Sequence, residues 1–224
     1  MFIGHFAAGL AAKRIAPRPS LGTLFLAAQF IDLLWPIFLL VGLERVEIDP
    51  GNTAVSPLKF VSNPITHSLL GVLLWSLLFG GVHYAIRRSA QSSFVLGSLV
   101  LSHWVLDLVV HRPDLPLVPW SDVTAGMGLW NSLPLTMLLE GLLFAIGTLL
   151  YVKGTRALNT RGRLAFWGLI AFLLFLYAMN LLGPPPPSVG AIGYVGLFQW
   201  LLIAWGYWID RHRTSGLEVK PAAA

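Results

Sequence analysis

The 224-residue chain has no cysteine, which excludes disulfides, thiolate zinc sites and iron–sulfur clusters. Charge is scarce: only 11% of residues are Asp, Glu, Lys or Arg, against 56% hydrophobic. A soluble domain carries charge on roughly a quarter of its residues. This chain cannot cover a water-exposed surface, so it reads as an integral membrane protein. Met1 to Ala12 lacks a positive leading region and is followed by Lys13 and Arg14, so it does not read as a cleavable signal peptide. The net charge of +5 does not indicate nucleic acid, because the bases sit in short loops between apolar runs. Neither a linker nor a long-range repeat is visible.

Six apolar runs approach the roughly 20 residues a membrane crossing needs. They lie at 21–43, 65–86, 92–110, 130–152, 164–183 and 189–209. The 1–12 segment is too short to cross and reads as a half-helix. The expectation is an all-α, polytopic helical bundle over 1–213, with its site in 1–150 and a disordered tail over 214–224.

The bases assign sides. Loops with Lys13, Arg14, Arg18, Arg87, Arg88, Lys153, Arg156, Arg161, Arg163, Arg211, Arg213 and Lys220 alternate with loops holding only Arg45, Lys59 and Arg112. The positive-inside rule then puts residues 13–20 and the C-terminus in the cytoplasm. Loops 44–64, 111–129 and 184–188 face outward, the last stiffened by four prolines.

What is present stands out against this background. His103, Asp107 and His111 recur every fourth residue, so a helix lines them on one stripe. Ionisable groups among leucine and valine cost free energy unless they are paired, solvated or metal-bound. Gln29 and Asp32 share a face of the first span, and Glu140 sits midway along the fourth. His5 and His67 each begin a His-x-x-x-Gly.

Helix rise brings these groups to similar depths. Asp32 lies roughly 17 Å above the cytoplasmic end of its span, and His103 is at about that height. His67 starts the second span at the outer edge, near His111. His5 joins if 1–12 inserts, roughly 12 Å up from Lys13. Imidazoles and carboxylates without sulfur suit zinc, with manganese or iron as alternatives, and one or two ions. Such an ion activates water or polarises a phosphoryl oxygen.

Asp107, Asp114 and Glu140 are the candidate catalytic carboxylates. His5, Asp32, His67, His103, Asp107 and His111 are the candidate ligands. Arg112 and Gln29 are the candidate substrate contacts. His83 reads as interfacial, and Asp210 with His212 as a solvated helix end.

Gly4-His5, Gln29-x-x-Asp32, Thr66-His67-Ser68 and Ser102-His103-x-x-x-Asp107, followed by His111 and Asp114, form an ordered set. That set resembles the bacterial inner-membrane metal-dependent hydrolases labelled LexA-binding. The order is also similar to the zinc phospholipase C and S1/P1 nuclease superfamily, whose members cleave phosphate esters. The second resemblance implies Asp32, His67, His103 and Asp107 as metal ligands, with His5 and His111 in further positions. Two positions depart from that superfamily. It uses a processed N-terminus as a ligand, where Met1 stands here, and it ends in His-x-x-x-Glu, where Thr136-x-x-x-Glu140 stands.

The expected function is a membrane-embedded hydrolase of a phosphoester such as a phospholipid or lipid-linked phosphate. Its expected partners are membrane lipids, and no nucleic acid is expected. A metal-ion or proton transporter and a structural or partner-binding membrane protein are the alternatives.

Overall fold

The computed structural model describes residues 1–215, and the expected tail falls outside them from residue 216 onward. The elements run α1 (Ile3–Ile15), α2 (Leu21–Ala28), α3 (Phe30–Leu40), β1 (Arg45–Ile48), β2 (Leu58–Ser62), α4 (Leu69–Arg87) and α5 (Ala90–Val110). There follow β3 (Leu115–Pro116), β4 (Thr124–Ala125), α6 (Leu133–Gly154), β5 (Thr155–Ala157), α7 (Thr160–Leu182), α8 (Val189–Leu197), α9 (Gln199–Asp210) and β6 (Arg213–Ser215). The architecture is the expected all-α polytopic bundle. Four single helices and the α8–α9 run are long and apolar enough to cross a membrane, and the α2–α3 pair makes a sixth, broken span.

The break in that span was not expected. α2 and α3 meet at Gln29 with a bend of 55°, whereas the apolar run over 21–43 implies an unbroken helix. Broken helices at membrane depth are tolerated where neighbouring groups satisfy the backbone. Two such repairs are visible. The Ala28 carbonyl, the last of α2, accepts from His103 Nδ1 at 3.0 Å. Pro36 has no N–H for the Asp32 carbonyl one turn back, and Gln199 Nε2 donates to that oxygen at 3.4 Å.

α1 is the buried centre. Its Ile3, Phe6 and Leu10 are fully enclosed. It runs along α6 with little between the backbones: a Cβ added to Gly147 would lie 2.5 Å from the Ala7 carbonyl oxygen. Small residues allow such close approach where hydrophobicity gives no preference for helix over lipid. α4 is the outermost helix and packs on α5 through facing Gly80 and Gly97, with Ser76 Oγ donating to the Gly97 carbonyl at 2.7 Å.

The basic loops gather at one end. Lys13 Nζ lies 3.3 Å from Asp210, Gln91 donates to the Ile15 carbonyl, and β5 pairs antiparallel with β6. That pairing corrects the expected tail boundary, since Arg213–Ser215 is a strand. Asp210 is not a solvated helix end either: its Oδ2 accepts the Leu21 N–H at 2.6 Å and so satisfies a donor at the start of α2. The β1–β2 hairpin, β3–β4 and the proline run 184–187 lie in the alternate loops, and residues 50–58 share a cleft with Pro184 to Pro186.

Candidate metal centre

Four separate segments deliver five ionisable side chains to one place. α1 carries His5, and the first turn of α3 carries Asp32 just beyond the break. His67 precedes α4 in the turn that Ser68 closes by accepting the Gly71 N–H. α5 carries His103 and Asp107 one turn apart.

Asp107 is the hub. Its Oδ1 lies 3.1 Å from His5 Nε2, and its Oδ2 lies 3.2 Å from His103 Nε2 and 3.9 Å from His67 Nε2. The Met1 amino group also contacts Oδ1. Asp32 Oδ1 lies 3.5 Å from His103 Nε2 and 3.6 Å from His67 Nε2. The His5 and His103 rings stack with centroids 3.7 Å apart. Two overlapping donor groups result, His5–His103–Asp107 and Asp32–His67–His103. All but Asp32 are nearly sealed from solvent.

Hydrogen bonding fixes which ring nitrogens face inward. A carbonyl only accepts, so His103 Nδ1 carries the proton it gives to Ala28. Its Nε2 is then a lone pair in the neutral ring, and that atom has no hydrogen-bond partner.

His67 is set by a longer chain that begins at Glu44, a residue the sequence did not single out. Glu44 is 1% exposed. Its Oε1 accepts the N–H groups of Ile65 and Thr66, both at 2.8 Å, and its Oε2 accepts the Thr66 hydroxyl at 2.6 Å. With its proton committed to Glu44, the Thr66 oxygen accepts from His67 Nδ1 at 2.7 Å. His67 Nε2 is therefore also bare. Two imidazole lone pairs thus face two carboxylates at 3.2 to 3.9 Å, an arrangement that a cation between them relieves. The donor set fits a divalent ion with nitrogen and oxygen ligands.

The other sequence candidates separate from this cluster to different degrees. His111 is not on the α5 stripe: it ends the helix in extended backbone (φ −64°, ψ 145°), and Pro113 follows two residues on. Its Nδ1 faces Asp114 Oδ1 at 2.9 Å, and its ring lies 4.4 Å from Trp130 and 4.7 Å from Phe60. Burial holds this imidazole below its usual protonation range. Asp114 therefore orients His111 rather than reaching the cluster.

Glu140 is buried beside the cluster, where its Oε2 accepts from the Phe2 and Gly4 N–H groups at 3.0 and 3.3 Å and anchors the start of α1. Gln29 is buried at the helix break with both amide atoms unpaired, and it does not line the cavity. Arg112 is exposed and donates to Asn52 at 2.5 Å. Neither lines the cavity that opens over the cluster. His83 pairs with Ser93 on α5, away from the site.

A cavity of about 140 Å³ opens over the cluster, lined by Asp32, His67, Asp107, His111 and Glu140 with Trp35, Phe60 and Trp130. It lies on the side of the sparse-charge loops, since Val55, Ser56 and Leu58 complete its wall.

No curated protein and no solved structure matches the chain. Residues 1–184, which include every side chain of the cluster, match the family model for the YdjM inner membrane protein; the chain belongs to that family, as a multi-pass protein of the inner membrane.

Proposed function

We propose that the chain is a membrane-embedded, metal-dependent hydrolase of a phosphoester carried on a lipid, with its site toward the outer face. The observation that carries this reading is the inward aim of the bare His67 and His103 nitrogens at Asp32 and Asp107. Asp107 already has a donor in the Met1 amino group, and interhelical hydrogen bonding alone would place imidazole donors against Asp32 as well. Here both donors are spent on Thr66 and Ala28.

His5, Asp32, His67, His103 and Asp107 would hold one or two zinc ions, His103 being common to the two donor groups. Bound there, zinc supplies Lewis-acid activation of water and of a phosphoryl oxygen. Glu140, on the cavity wall, is the carboxylate placed to hold a proton beside that water. Trp35, Phe60 and Trp130 limit water access. The outward orientation rests on the alternation of basic loops, whose rich members meet at the opposite end.

Metal analysis of purified protein tests the reading. Wild type should carry zinc, and His103→Ala with Asp107→Ala should lose it together with release of phosphate from phosphatidic acid. Wild type that binds no metal under any supply refutes it. Proteoliposome zinc or proton flux abolished by Asp32→Asn would instead favour transport.

A further inference from the structure

A second cavity adjoins the first. It is a groove of about 660 Å³ between α7 and the α8–α9 span. Phe172, Leu176 and Met179 form one wall, and Val195, Leu202 and Trp205 the other. Phe2 and Asn180 line both this groove and the cavity over the His/Asp cluster. Asn180 is the one amide in α7, and it stands where the apolar groove meets the polar cavity. From Asn180 to Phe172 the groove descends eight residues, about 12 Å of helix. The two spaces are also mechanically joined, because Gln199 on the groove wall donates to the backbone of Asp32.

We propose that this groove seats the hydrocarbon chain of the substrate, so that the substrate is an amphiphile with its phosphate over the His/Asp cluster and its chain between α7 and α9. The inference rests on the hydrolase reading and adds where the lipid lies. Continuity decides the occupant. A groove filled by bulk lipid has no need of a polar junction, whereas an amphiphile changes from apolar to polar at one point along its length, where Asn180 stands. Apolar lining gives no preference over the bilayer, so discrimination comes from the headgroup end.

The test uses full-length protein in nanodiscs with two photoactivatable probes, a diazirine-acyl phosphatidic acid and the diacylglycerol with the same chains. Adducts are located by mass spectrometry, and zinc is counted on the same samples. Phosphatidic acid should label residues 172–205 about tenfold more than diacylglycerol, the factor a single charge-assisted headgroup contact gives. Val195→Trp, at an exposed position on the groove wall, should cut that labelling while zinc content holds; Leu201→Trp serves if the first variant does not fold. Asn180→Leu should remove the preference for phosphate. Equal labelling by both probes overturns the proposal, as does labelling indifferent to a folded groove variant. Zinc-free wild type that keeps phosphate-selective labelling refutes the metal reading and upholds the groove.

Discussion

Thr66→Val is the most informative single change, because it keeps shape and removes one hydroxyl. Thr66 is fully buried, and valine fills its volume. Glu44 keeps its two backbone N–H contacts at 2.8 Å, so the turn before α4 stays anchored. What is lost is the acceptor for His67 Nδ1–H at 2.7 Å. The ring can then turn, and the proton can move to Nε2, the atom that faces Asp32 and Asp107. Removing such an outer partner typically costs ~10–100-fold in metal affinity. That factor corresponds to ~1.4–2.7 kcal/mol.

Competition titration of purified protein against a chromophoric zinc chelator measures it, with His67→Ala as the full-loss reference. Thr66→Ser restores the hydroxyl and should stay within about threefold of wild type. Glu44→Gln should lose at least as much as Thr66→Val. Its amide nitrogen can donate to Thr66 Oγ1, which turns the hydroxyl proton toward Nδ1 and forces the wrong tautomer of His67. If Thr66→Val binds zinc as wild type does while His67→Ala does not, the relay from Glu44 has no role in holding the ring.

Three further outcomes follow from the packing. Gly147→Leu drives a side chain into the Ala7 backbone and should displace α1, read as maleimide labelling of a cysteine placed at Leu10, which is silent in the parent. Asp210→Asn weakens both the contact to Lys13 and the cap on Leu21; a loss of ~1–3 kcal/mol in reversible unfolding is expected. Because the chain has no cysteine, single replacements report topology cleanly: Ser121→Cys should react with an impermeant maleimide from outside intact cells, and Arg161→Cys only after lysis. The reverse pattern inverts the orientation.

The spans were legible because apolar runs of membrane length have few other uses, and all six agree with the structure to within four residues at each end. The break at Gln29 was not legible. Its local sequence holds neither glycine nor proline to mark a break, and the bend is sustained by His103 and Gln199, which are distant in the chain. Depth arithmetic correctly grouped Asp32, His67, His103, Asp107 and His5, since helix rise needs no tertiary knowledge. It also set His111 beside His67, and the two rings lie 6.4 Å apart; what stops short of His111 is the helical stripe, since Pro113 disfavours helix in the residue before it. Arg112 and Gln29 fall outside the cavity lining for a related reason: proximity along the chain says nothing about which way a side chain leaves the backbone. Glu44 escaped notice because it stands in a polar loop, where a carboxylate costs nothing. Its importance depends on a turn that the β1–β2 hairpin folds back onto it. One available clue was the Thr-His pair, since a hydroxyl beside an imidazole invites the question of what orients the hydroxyl.

The burial of α1 has a consequence for how the protein is made. α1 leaves the ribosome more than a hundred residues ahead of α6, against which its Ala7 backbone packs. Until α6 arrives, the Ala7 face has nothing to rest against, and α1 is too short to hold a crossing position by itself. His5 therefore reaches Asp107 only after the fourth crossing has been inserted. On the metal-dependent reading, ion loading would be a late step of biogenesis, and nascent chains released before α6 would be integrated in the membrane without a complete donor set.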